Sequence, residues 1–138
     1  MQSAYEKDFH QWSLDQAHLI KIGDFKKLDI EHLIEEIETL GNSEKRALRS
    51  FMTVLMKHLL KIKYQPEKHT SSWDRSIKYS RREIEDILKE NPSFKRFIPE
   101  YIKTTYLTAV ESASDETNKD ESDFPTECPW TFEEIMKE

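Results

Sequence analysis

A chain of 138 residues is long enough for one domain to bury a core without metal or disulfide support. Its charged fraction of 35% nearly equals its hydrophobic fraction of 36%, and the formal charge of −6 argues against general nucleic-acid affinity. One cysteine excludes an internal disulfide, and no leader-like apolar stretch or run of about 18 apolar residues occurs, so a soluble cytoplasmic protein with no membrane partner is expected.

Only 2 glycines and 5 prolines occur, and strand-type alternation is missing, which predicts long helices. Tyr5, Phe9 and Trp12 share one face of a short helical turn. Ser13 and Gln16 form a capping box for a helix ending at Gly23. Asp29 caps a second helix carrying Ile30, Leu33, Ile34, Ile37 and Leu40, which Gly41 is expected to end or bend. A third helix, from about Ser43 to Lys63, has the broadest stripe, Leu48, Phe51, Met52, Leu55, Leu59 and Ile62, and should be the most buried. Pro66 stops it. Thr70, Ser71 and Ser72 offer caps for a fourth helix with Trp73, Ile77, Ile84, Ile87 and Leu88 on one side. Asn91-Pro92 opens the last long helix, carried to Ala109, with Pro99 kinking it or splitting off its first turn. The acidic segment 111–123 is expected to be mobile. An extended strap follows through Phe124-Pro125 and Cys128-Pro129-Trp130, then a short helix capped by Thr131 and Glu134. The predicted fold is therefore all-α, a single domain over residues 1–138 built as a bundle of about five helices.

Several polar residues fall where apolar ones are expected. At about 100° per residue, Glu44 lies inside the stripe of the third helix and His58 at its margin, about 21 Å apart along the axis. Arg81 flanks the stripe of the fourth helix and Glu36 that of the second. The bland reading makes Glu44 an ion pair or helix-end charge and His58 a core histidine bonded to a carbonyl or carboxylate. The sharper reading makes them catalytic, with His58 as a general acid or base. No His-Glu-x-x-His motif, phosphate loop or activated cysteine occurs, so no metal and no cofactor is expected.

Between Lys57 and Arg82 stand eight basic residues against Glu67 and Asp74, a local balance of +6 that leaves −12 for everything else. Lys57, Lys61, Arg75, Lys78 and Arg82, with Gln65 and Trp73, are the candidate binding residues. Cations interleaved with aromatics suit an acidic protein or RNA, although the same pattern describes the solvated back of two helices.

The order Tyr5-x-x-Asp8-Phe9-x-x-Trp12, Leu33-Ile34-Glu35-Glu36-Ile37-Glu38 and Leu40-Gly41-x-x-Glu44 resembles the family known as domain of unknown function number twenty-nine. The likeness continues through His58-Leu59-Leu60-Lys61, Tyr64-Gln65-Pro66, Ser72-Trp73, Glu116-Thr117 and Cys128-Pro129-Trp130-Thr131. It implies a small bacterial helical protein and supplies no reaction. It also singles out Glu36, Glu44, His58, Lys61, Gln65 and Trp73, several of which should cluster where the second to fourth helices converge. The leading functional reading is a non-enzymatic binding or regulatory module acting through the Lys57–Arg82 hairpin. The alternatives are a metal-independent ribonuclease using His58 with Glu44 or Glu36 and Lys61 or Arg81, and a homo-oligomer packed through Trp12, Trp73 or Trp130.

Overall fold

The computed structural model describes residues 3–137, and among them the chain is all-α with no strand. Its helices are α1 (Ala4–Lys7), α2 (Phe9–Ile22), α3 (Ile30–Tyr64), α4 (Ser71–Glu90), α5 (Ile98–Thr117) and α6 (Phe132–Met136). None of them is long and apolar enough to cross a membrane. The chain divides into two compact units, Met1–Asn42 and Ser43–Glu138.

In the first unit Asp8 decides where α2 begins. Its carboxylate accepts from the Gln11 amide at 3.1 Å, so α2 starts well before Ser13, whose hydroxyl donates to the His10 carbonyl instead. The expected Ser13 capping box is thus displaced by a better-placed N-cap. Gly23 ends α2 at φ 77°, a left-handed conformation that an L side chain rarely adopts. A 3-10 turn, Phe25–Lys27, leads to Asp29, whose carboxylate accepts from the His32 amide at 3.4 Å and opens α3.

The predicted break at Gly41 does not occur, and α3 continues for 35 residues. A glycine ends a helix by taking positive φ, and here Gly23 is the glycine that does so. The roughly 1 kcal/mol that Gly41 costs against alanine is small beside the hydrogen bonds of an uninterrupted helix.

The second unit is built on the later part of α3. Leu48, Met52, Leu55, Met56 and Leu60 are fully buried; the first three belong to the predicted stripe, while its other members Phe51, Leu59 and Ile62 are partly buried beside them. Ile77, Ile84, Ile87 and Leu88 of α4 and Tyr101, Tyr106, Ala109 and Ala113 of α5 complete the core around them. Pro92–Phe97 forms a separate 3-10 segment, and α5 starts at Ile98 with Pro99 in its first turn, where its missing amide costs nothing. The Asn91 side chain serves α4, donating from Nδ2 to the Ile87 carbonyl at 3.0 Å, while its carbonyl accepts the Phe94 amide of the segment after it at 2.9 Å.

α5 runs beyond Ala109 into the acidic segment as far as Thr117, where Ala113 and Thr117 are buried. Beyond it the strap is pinned by buried Phe124 and by the Tyr106 hydroxyl, which donates to the Pro125 carbonyl at 2.7 Å. Thr131 and Glu134 form the predicted capping box of α6. Leu55→Ala should cost about 3 kcal/mol in urea denaturation, whereas Leu107→Ala, at a side chain 62% exposed, should cost under about 0.5 kcal/mol.

Candidate functional site

The polar centre of the second unit forms where the end of α3, the start of α4 and the end of α5 meet. Lys57 and Lys61 stand four apart on α3 and so project side by side. Both reach Glu116 of α5, Lys57 to Oε2 at 3.1 Å and Lys61 to Oε1 at 3.2 Å. Lys61 is buried, and its ammonium also sits 4.4 Å from the centre of the Trp73 ring, a cation–π contact from α4. Burial alone would raise the pKa of Glu116, but the two lysine hydrogen bonds outweigh it and hold the carboxyl below its ordinary value.

His58 lies on the same stretch and is buried. Its Nδ1 donates to the Val54 carbonyl at 2.9 Å, one turn back, and its ring meets Trp73 edge-on at 6.5 Å. Withdrawal from water pushes its pKa down, and Lys57 and Lys61 push in the same direction against the Val54 bond. Gln65 is buried at the helix end and donates to the Thr117 carbonyl at 3.5 Å. His69, stacked on Trp73 at 6.0 Å, donates to Asp74 at 2.6 Å.

Four of the six residues singled out by the family pattern therefore converge: His58, Lys61, Gln65 and Trp73. The other two do not join them. Glu44 is exposed, which corrects its placement in the apolar stripe, because burial on this part of α3 starts only at Leu48. Glu36 belongs to the first unit and accepts the Tyr5 hydroxyl, which raises that phenol to about 12. Arg81 is half-buried on α4, with Nε donating to the Ile135 carbonyl at 2.9 Å, so it anchors α6. Arg75, Lys78 and Arg82 are exposed on α4. Cys128 is packed near Met56 and donates to the Trp130 carbonyl at 3.4 Å, and burial pushes its thiol up.

Sequence reasoning marked Glu116 within the family pattern but did not place it in the site, although two lysines at i, i+4 beside a buried stripe already ask for a carboxylate on a facing helix. It also missed a cluster in the first unit. Asp29 accepts from Trp12 Nε1 at 2.9 Å and from His32 Nδ1 at 2.7 Å, while its own amide donates to Gln16. Tyr5 stacks on His32 at 4.0 Å. The His32 bond lowers the Asp29 pKa and raises that of His32, as an ion pair should.

Tyr5, Trp12, Glu36, His58, Lys61, Gln65, Trp73 and Glu116, which make many of these contacts, stand in the family pattern, whereas Lys57 and His32 do not. The chain belongs to the family described as Domain of unknown function DUF29, whose model matches residues 4–138. No curated protein and no solved structure matches it significantly. In this DUF29 chain no group of three or more His, Cys, Asp or Glu side chains among the described residues is placed to hold a metal ion.

The arrangement has a pH consequence. A histidine whose folded pKa is depressed binds its proton more readily in the unfolded chain, so its contribution is intact above about 6.5 and is lost as pH falls below that value. The wild type should thus lose stability on acidification relative to His58→Gln, which retains a donor for the Val54 carbonyl. Urea midpoints for both proteins at several pH values check this; parallel pH profiles would assign His58 no part in it.

Proposed function

We propose that this protein is a non-catalytic binding module that engages an acidic protein surface through α4. The observation that carries this reading is the exposure of Arg75, Lys78, Tyr79 and Arg82, whose 3–4 spacing puts them on one side of that helix. Lys57 and Lys61 are turned onto Glu116, whose single negative charge offsets one of their two positive charges. What remains is a compact positive stripe on a chain of net −6, bounded toward the end of α4 by Glu85 and Asp86. Such a stripe steers an acidic partner and sets its register more than it supplies affinity.

An RNA reader needs several open rings on which bases stack. Trp73 is occupied by Lys61 and His69, which leaves Tyr79, 55% exposed, as the open ring on this face. This favours a protein partner. The ribonuclease alternative loses support for a similar reason. His58 is buried and bonded to its own helix, Arg81 is bonded to Ile135, and Glu44 is exposed at an ideal-helix distance of about 21 Å from His58.

Fluorescence anisotropy with a labelled polyglutamate peptide and a labelled oligouridine of equal length tests the proposal. The peptide should bind more weakly as salt rises, and the triple variant R75E/K78E/R82E should weaken it by about tenfold or more. Peptide affinity unchanged by the triple substitution would remove α4 as the docking face. Tighter binding of the oligouridine, lost in the same variant, would move the reading to RNA.

A further inference from the structure

A further pair of cations lies in the second unit, away from the Lys61 centre and from the outer side of α4. Arg46, Arg49, Ser50 and Thr53 are spaced three and four apart and so share one side of α3. They face Thr104, Thr105 and Thr108 of α5 across a cleft of about 440 Å³, a size within the range of small-molecule sites. Lys57 and Lys61, which also turn toward α5, meet the carboxylate of Glu116. Arg46 and Arg49 meet none: neither has an ion-pair partner among the described residues, and no acidic residue lines the cleft. Arg49 is half-buried and is held by Tyr101 instead, donating from Nη1 to its hydroxyl at 3.1 Å with the guanidinium 5.1 Å from the ring centre. A phenol fixes the direction of the guanidinium without neutralising it, and an unmatched charge drawn from water is costly. The remaining N–H groups of this fork make no hydrogen bond among the described residues.

We propose that this cleft binds a small phosphorylated polyol, a sugar phosphate in the simplest case, with its phosphate on Arg46 and Arg49. Charge selects the anion. A phosphate monoester carries about −1.5 to −2 at pH 7, which two guanidinium groups balance, and its oxygens match the fork of arginine. A single carboxylate would leave one arginine unmatched. Ser50 and Thr108 make no hydrogen bond among the described residues, so their hydroxyls can donate to the same phosphate. The rest of the wall selects the body of the ligand. Thr53, Thr104 and Thr105 already give their hydroxyl hydrogens to carbonyls of their own helices, so their oxygens can only accept. An accepting oxygen repels a phosphate oxygen and suits the hydroxyl groups of a polyol. No aromatic ring lines the cleft among the described residues, and Tyr101 is taken by Arg49, so a nucleobase would find nothing to stack on.

Isothermal titration calorimetry of the full chain at about 0.15 M salt, where distant charges are screened, tests the site. The probes are glucose 6-phosphate and glycerol 3-phosphate, with inorganic phosphate, glucose and succinate beside them. At least one ester should bind once per chain and more tightly than inorganic phosphate, and glucose and succinate should not saturate. Arg46→Gln, at an exposed side chain, and Arg49→Lys, which keeps the charge and loses the fork, should each weaken the ester about tenfold. Thr104→Val should weaken the ester about threefold and leave inorganic phosphate unchanged, a split that a damaged fold would not produce. Failure of both esters to saturate at millimolar concentration, affinity indifferent to both arginine substitutions, or succinate bound as tightly would overturn the site. Equal affinity for inorganic phosphate and the ester would overturn the polyol assignment. The triple variant R75E/K78E/R82E should bind the ester as the wild type does, which separates this cleft from the α4 stripe; an equal loss there would overturn the site in favour of bulk charge.

Discussion

The ammonium of Lys61 is the constraint around which the second unit closes. A buried cation is costly unless it is paired, and this one finds Glu116 and the face of Trp73. Satisfying it fixes three helix ends at once, because the lysine is near the end of α3, the indole near the start of α4 and the carboxylate near the end of α5. Lys57 shares the carboxylate, and Gln65 closes the same junction by bonding to the carbonyl of Thr117, the residue after Glu116. His58 lies under this arrangement as a neutral ring whose bonded nitrogen serves its own helix. The polar residues that interrupt the apolar pattern here are fasteners between helices.

The physics of helix formation made most of the fold legible. The α3 stripe from Leu48 onward, the apolar side of α4, the separation of Pro92–Phe97 from α5 and the capping box of α6 all follow from period, proline and cap chemistry. The misses share a cause, which is that local signals compete and the chain takes the stronger one. Asp8 outcompeted Ser13 as the α2 cap. Gly41 carries a stop signal that works only with positive φ, and nothing in the neighbouring residues forces that conformation. Burial of Ala113 and Thr117 carried α5 beyond Ala109, where its predicted apolar pattern ended. The candidate site was legible in part, since His58, Lys61, Gln65 and Trp73 were marked by sequence alone. Glu116 stood in the family pattern too, but its role was not legible, because a glutamate in an acidic stretch differs from its neighbours only by what faces it in three dimensions.

Glu44 illustrates the limit of wheel arguments. Its angular position matches that of Leu48 and Leu55, yet a stripe is buried only where another element lies against it. The same reasoning applies to Ile30, Ile34 and Ile37, which continue the apolar pattern of α3 and remain open to solvent. Periodicity reports which side of a helix can be covered; the tertiary partners decide how much of it is.

Cys128 gives the strap a chemical handle. It is the chain's one thiol, protonated by its surroundings and lodged beside Met56. An alkylating reagent can reach this half-buried sulfur, but meets it chiefly as the poorly nucleophilic thiol. The rate of modification then follows the protonation of this one thiol and rises with alkalinity, readable by mass spectrometry on the native sequence with no label introduced.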